Sequence, residues 1–274
     1  PVRTSAAGGE QPAAGSPTRV CLVLGAGAGV GQAVARRFAR EGFHVCCVRR
    51  GGGPGSLVGE EGREHLEAFC AQLRADYGAG ATAFYVDATK PDDVKALVSR
   101  VEAEVGPVEV AVYNVGAQVG GRSLDGTSYR IFELAWRMGT LGAFAMAKEL
   151  APLMLARGHG TMLFTSSTAA MRGNQGQYAH AAAMFGRRAL CQSLNHEFGP
   201  RGIHVCHVVL DGPVNAPDTI GRMFPGVIEK LPKDRIMQPA SIAETFWSLY
   251  QQPRDTWTLE LDLRPSGETA WFNT

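Results

Sequence analysis

RVCLVLGAGAGVG, residues 19–31, decides the fold. Arg19–Leu24 is an apolar, β-rich run, and Val30–Arg40 has helical spacing, with Val34 and Phe38 on one face. Between them lie Gly25, Gly27 and Gly29, and Gly31 follows in the helix's first turn. Glycines at such a joint permit a tight turn and let backbone N–H groups come close to an anion. The helix N-terminus adds a partial positive charge at the same point. A strand that runs through glycines into a helix therefore reads as a cradle for the pyrophosphate of a dinucleotide, with Gly25, Gly29, Val30 and Gly31 as its contacts.

Outward from this loop the pattern repeats. β-rich runs at Phe43–Val48, Ala81–Val86, Val108–Tyr113, Gly160–Thr165, Ile203–Leu210 and Trp257–Leu263 alternate with helical ones. The helical stretches are Glu64–Tyr77, Pro91–Glu104, Ser128–Arg157 and Ala179–Phe198. Pro91 followed by Asp92 and Asp93 is a strong helix start, because proline suits the first helical position and carboxylates suit the positive end of the dipole. Nearly continuous apolar strands separated by helices call for a parallel sheet covered on both faces. The expected architecture is α/β, a Rossmann-type doubly wound parallel sheet of seven strands with helices on both faces. Residues 1–17, rich in Pro, Gly, Ala and Ser and without periodicity, are expected to form a disordered tail, and residues 18–274 one nucleotide-binding domain.

Composition narrows the partners. A formal net charge of +1 over 274 residues gives no electrostatic case for nucleic acid or an anionic membrane. No apolar run approaches the roughly 20 residues of a membrane-spanning helix, and a cytoplasmic location is expected. Cys21, Cys46, Cys47 and Cys206 fall in the apolar strands, and with Cys70 and Cys191 they show no ligand spacing, so all six are expected as free thiols. His204 and His207 flank Cys206 in a strand and are read as structural. No metal site is expected.

The landmarks along the chain carry a resemblance. Gly25, Gly29 and Gly31 make a GxxxGxG pattern; Asp87 follows the third strand; Tyr113-Asn114-Val115-Gly116 follows the fourth. The helix end and sixth strand read Glu197-Phe198-Gly199-Pro200-Arg201-Gly202-Ile203-His204-Val205. In this order, over about residues 19–265, the chain resembles the short-chain dehydrogenase/reductase (SDR) family. The resemblance implies that Asp87 contacts adenine and that Asn114 and Gly116 belong to the cofactor site. At the end of the second strand, where NAD enzymes place a carboxylate, stand Arg49 and Arg50. Guanidinium groups pair with a 2′-phosphate, so NADP(H) is favoured over NAD(H).

The same resemblance implies a Tyr acid/base, a Lys four residues later, a Ser that orients the substrate oxygen, and an Asn in the long helix. Here the pattern breaks. Ser167 stands after the fifth strand; thirteen residues on, at the Tyr position, is His180. Counting thirteen residues back from Glu197 puts Met184 at the Lys position, and Gly139 stands at the Asn position. Tyr178 is tempting, but its fourth successor is Ala182, and two residues along a helix turn it to nearly the opposite face. It serves only if that segment is still loop. Imidazole, with an unperturbed pKa of about 6.5, exchanges a proton near neutrality without a lysine beside it.

Ser167 and His180 are thus the candidate catalytic pair, with Tyr178 behind them, for reduction of a carbonyl or oxidation of an alcohol. Two alternatives stay open: a catalytically inactive chain that holds NADP(H) as a structural or sensory ligand, and a chain that binds no nucleotide. The family implies a homodimer or homotetramer through the two long helices. Residues 211–238 lie where relatives carry a lid, with Met223, Phe224 and Ile228 as pocket candidates for a hydrophobic small-molecule substrate.

Overall fold

The computed structural model describes residues 18–51, 59–116, 119–216 and 226–268. The expected tail at 1–17, and Met223 and Phe224 in the lid segment, lie outside them. Seven strands form one sheet: β1 Val20–Leu24, β2 His44–Arg49, β3 Ala81–Tyr85, β4 Val108–Tyr113, β5 Gly160–Ser167, β6 Ile203–Leu210 and β7 Glu260–Leu263. Their order is β3-β2-β1-β4-β5-β6-β7, and every neighbouring pair is parallel. The expected α/β sheet with helices on both faces is the one observed. The order reverses between β1 and β4, which opens a crevice at their carboxyl ends.

Alternation along each strand sorts side chains to two faces. From β1 and β2, Cys21, Val23, Val45 and Cys47 pack on one side, with helices α1 (Val30–Arg40), α2 (Gly59–Tyr77) and α8 (Pro239–Tyr250). Val20, Leu22, Leu24, Cys46 and Val48 pack on the other. That side is covered by α3 (Pro91–Glu104), α5 (Gly142–Arg157) and α6 (Tyr178–Phe198). All six cysteines are buried and free, as expected.

Three local differences from the sequence reading have physical causes. Helix α8 has no counterpart in it, although Pro239 at its start and Ile242, Ala243, Phe246 and Leu249 at helical spacing mark it. Its Trp247 and Tyr250 join Phe38 and Phe43 in an edge-to-face aromatic cluster that fastens it to α1. The long helical region is two helices, α4 (Tyr129–Trp136) and α5, joined by a π-helical turn over Arg137–Leu141. Strand β7 starts at Glu260, because residues 254–256 form a 3-10 turn and Trp257 is held by its indole N–H to the Gln252 carbonyl.

His204 and His207 are structural here. His204 stacks on Trp257 at 4.9 Å, and its Nε2 lies 3.0 Å from the Thr258 carbonyl. His207 Nδ1 lies 3.1 Å from Glu260, which Arg188 grips with two 2.7 Å bonds. Burial pushes His207 down to about 4, so at neutral pH it is an uncharged tie between β6 and β7. Among the described residues no cluster of His, Cys, Asp or Glu could hold a metal, and no helix is long and apolar enough to cross a membrane.

Candidate active site

The glycine loop is fixed by backbone bonds. Gly25 and Ala26 both donate to the Val48 carbonyl, at 2.9 and 2.8 Å, which ties the loop to the end of β2. Gly25 has φ +95°, and a Cβ there would lie 2.5 Å from the Asn114 carbonyl oxygen. A Cβ on Gly31 would lie 2.1 Å from the Gly25 carbonyl oxygen. Both glycines are thus demanded by backbone packing. Of the α1 start amides, Gln32 and Ala33 return to the carbonyls of Gly27 and Gly29, while Val30 and Gly31 face a cleft of about 470 Å³.

Every residue expected at the nucleotide lines that one cleft: Gly25, Gly29, Val30, Gly31, Arg49, Arg50, Asp87, Asn114 and Gly116. Asn114 Nδ2 donates to the Gly25 carbonyl at 2.9 Å, so the exit of β4 braces the loop leaving β1. Asp87 accepts from both the backbone N–H and the hydroxyl of Thr89, at 3.0 and 2.7 Å, which fixes its carboxylate at the rim. Arg49 Nη1 donates to the Gly62 carbonyl at 3.1 Å, and Arg50 is exposed.

One cation here escapes the sequence reading. Arg63 of α2 lies over the Tyr85 ring at 4.4 Å, and its Nη2 is 3.0 Å from where a Cβ on Gly51 would stand. Tyr85 is the ladder partner of Arg49, so Arg63 stands next to the strand end that brings Arg49 and Arg50 to the cleft. No short-range spacing links residues 49 and 63; only the packing of α2 on β3 brings them together. The cleft's size falls within the roughly 300–1,000 Å³ of small-molecule sites. Its glycine-rich loop, helix start, basic side chains and rim carboxylate fit a dinucleotide.

The catalytic candidates stand one strand over. Ser167 Oγ lies 3.1 Å from His180 Nε2, so the structure brings these two together. Tyr178 is the first residue of α6 and is 40% exposed beside Phe185, on a different side of the helix. The condition under which it could replace His180, a later helix start, is not met. Met184 is buried, with Ser166 Oγ 3.8 Å from its sulfur. Gly139 sits inside the π turn. Ile228 lies in the short helix α7, Val227–Lys230.

A second missed residue lies beneath this site. Arg187, only 2% exposed, sends Nε to the Gly139 carbonyl at 2.7 Å and Nη1 to that of Thr165 at 2.5 Å. Its Nη2 donates to the carbonyls of Val115 and Met138, at 2.8 and 3.3 Å. Tyr113, whose hydroxyl also donates to Met138 O at 2.7 Å, lies under the guanidinium with its ring centroid 4.8 Å away. Burial holds the Tyr113 hydroxyl well above its usual pKa, so the ring is a neutral donor rather than a counter-anion.

The doubly wound sheet with a cleft at its switch point defines the chain as a nucleotide-binding α/β protein of Rossmann type. A family model for short chain dehydrogenases matches residues 19–219. The chain belongs to the short-chain dehydrogenase/reductase family. It is 30% identical over 223 residues to a short-chain dehydrogenase/reductase of Armillaria gallica, covering 78% of this chain and 80% of that one. It is 27% identical to the 3-oxoacyl-[acyl-carrier-protein] reductase FabG of Escherichia coli, over 82% and 86% of the two chains. A short-chain dehydrogenase structure from Rhodopseudomonas palustris superimposes with TM-score 0.73 at 35% identity, covering 90% of this chain and 98% of that one. An alcohol dehydrogenase from Thermococcus sibiricus, solved with 5-hydroxy-NADP, shares the fold with TM-score 0.78 at 24% identity, over 92% and 99% of the chains.

Proposed function

We propose that this chain is an NADP(H)-dependent oxidoreductase of a carbonyl or alcohol substrate, with Ser167 and His180 handling the substrate oxygen. The observation that carries this reading is the 3.1 Å Ser167–His180 pair at the end of β5, beside the strand whose exit walls the nucleotide cleft. Gly25, Gly29, Val30 and Gly31 would hold the pyrophosphate, and Asp87 the adenine. Asn114 would brace the loop and Gly116 the neighbouring wall. The bound nicotinamide supplies or takes the hydride. In reduction, the Ser167 hydroxyl orients the carbonyl oxygen while the His180 imidazolium gives it a proton; in oxidation, the neutral imidazole takes the alcohol proton. His180 needs no lysine for this, which accounts for a charge-free Met184 at the adjacent turn.

The test is NADPH consumption by the purified chain over aldehydes, ketones, keto sugars and 3-oxoacyl thioesters. Steady oxidation with at least one class is expected. Cofactor-dependent stabilisation with no turnover on any class would instead support the second reading, a chain that keeps NADP(H) as a structural or sensory ligand. That reading is favoured by one observation: at Met184 and Gly139 no side chain is available to grip the ribose or hold a water chain.

Preference for NADP(H) over NAD(H) rests on the basic side chains at the end of β2, and it is supported by the NADP(H) complexes among similar structures. Each charge-assisted bond to a phosphate is worth about 1.5–3 kcal/mol, so Arg49→Ala or Arg63→Ala should weaken NADP+ binding by roughly tenfold or more. Binding of NAD+, which lacks the phosphate, should not change. Titration calorimetry with both dinucleotides checks this, and equal losses for both would overturn it.

The partner reading is a second copy of this chain. Phe132, Trp136, Phe144 and Phe185 are each 41–45% exposed on α4, α5 and α6. Alongside runs a groove of about 720 Å³ between α5 and α6, with Lys148, Glu197 and Arg201 at its edge. An apolar face with both charge signs on its rim suits a self-complementary twofold contact. Light scattering should give twice or four times the chain mass, and Phe144→Glu should shift it toward the monomer; a wild-type monomer at micromolar concentration would refute this.

A further inference from the structure

His180, Met184 and Arg187 follow one another at steps of four and three residues along α6, and so form one stripe of the helix. The stripe has a proton carrier at its first position, a sulfur at its second, and a buried cation at its third. Taking a guanidinium out of water costs several kcal/mol unless its donors are met. No carboxylate among the described residues lies within ion-pair distance of Arg187; four backbone carbonyls and an aromatic face take that place.

Those carbonyls come from three separate segments. Val115 belongs to the exit of β4, Met138 and Gly139 to the π turn, and Thr165 to the last part of β5. Val115 and Met138 line the nucleotide cleft, and Thr165 lies two residues before Ser167. A rigid planar fork is suited to joining several acceptors at once, which an ammonium on a flexible stem is not. The arrangement is locked from above as well: Thr140 Oγ1 donates to the Ala183 carbonyl at 2.8 Å, and Gly186 leaves room for Thr140 to pass.

We infer that Arg187 is the positioning residue for the end of the cleft nearest Ser167 and His180, where it sets from beneath the floor the wall that a cation at Met184 is not there to set. The inference rests on the reading of this cleft as an NADP(H) site. Arg187 touches neither cofactor nor substrate; it acts through Val115, Met138 and Thr165. The other end of the cleft, lined by Arg49 and Asp87, makes no contact with it.

Two probes separate the ends of the cleft: NADPH, and 2′,5′-ADP, which carries only the adenosine-phosphate half. In Arg187→Lys and Arg187→Met, 2′,5′-ADP binding is expected to stay at the wild-type level. NADPH affinity should fall by about tenfold, and the fluorescence gain of bound nicotinamide should disappear, because the loss is one of orientation. Parallel loss of both probes, or unchanged NADPH binding, would overturn the inference. Should neither variant fold, Met184→Lys decides on its own. An ammonium one turn from the guanidinium is expected to lower thermal stability without improving NADPH binding. A tenfold gain in NADPH affinity would show that the wall was waiting for a cation at 184 and would overturn the role given to Arg187. Wild-type protein that binds neither probe overturns the cleft reading itself, a result distinct from all of these.

Discussion

Gly31→Ala is expected to remove NADPH binding altogether and to lower thermal stability. The added Cβ would stand 2.1 Å from the Gly25 carbonyl oxygen and 2.8 Å from the Ala26 Cα. Both are backbone atoms, so no rotamer change relieves the contact. The loop cannot retreat either, because Gly25 and Ala26 are bonded to Val48 and Asn114 is bonded to Gly25. Helix α1 must therefore shift away from the sheet, which also disturbs Phe38 and its contacts with Phe43 and Trp247. Overpacking of this kind costs about 1–3 kcal/mol or somewhat more. For a chain of this size that lowers Tm by roughly 2–4 °C per kcal/mol. The sharper readout is the ligand: wild type should gain thermal stability with saturating NADPH, and the variant should gain none. A variant that keeps the NADPH-dependent gain would show that the helix-start amides are not the phosphate cradle.

The second large effect is expected at the Ser167–His180 pair. His180→Ala should reduce NADPH turnover by about 100-fold or more, in line with the 10²–10⁴ that a positioned proton donor contributes. The cost should fall on kcat, because His180 does not line the nucleotide cleft and cofactor affinity should be untouched. Ser167→Ala should act in the same direction and should not add fully to it, since one hydrogen bond joins the two groups. Retained turnover in His180→Ala would assign the imidazole a structural role, and the proton would have to come from elsewhere. Tyr178→Phe is a useful contrast: exposed at the start of α6 and away from Ser167, it should leave kcat unchanged.

Legibility followed the range of the interactions. The strand–loop–helix unit at 19–40 is readable because its turn, its helix start and its apolar faces are set by neighbours a few residues apart. The pairing of His180 with Ser167 is also readable, from the thirteen-residue interval that the family resemblance implies. The same counting puts Met184 and Gly139 where the family resemblance implies a lysine and an asparagine. The cysteines read as buried because they sit inside apolar strands, where a thiol packs as a small hydrophobe.

What escaped has a common cause. Arg63 reaches the Tyr85 ring, beside Arg49, only because α2 packs back along β3, and Arg187 looks in sequence like half of an ordinary Arg-Arg pair on a helix. Its neighbour Arg188 does go to an ion pair, with Glu260 at 2.7 Å, while Arg187 turns inward. Nothing in the two adjacent letters distinguishes those fates; the rotation of α6 against the sheet does. The π turn is similar, since Arg137–Leu141 carries no break signal beyond Gly139, and the turn is held by the Tyr113 hydroxyl and the Arg187 guanidinium from distant segments.

By itself, then, the sequence determined the parallel α/β architecture and the strand–glycine loop–helix unit at its start. Each of these depends on local spacing and on which residues a strand or helix can bury. Only the tertiary structure decided that Ser167 and His180 meet at 3.1 Å, that Tyr178 does not join them, and that a buried guanidinium underlies the site. Those outcomes depend on how helices α4, α5 and α6 dock on the carboxyl ends of β4 and β5, a matter of long-range packing that no short window of residues contains.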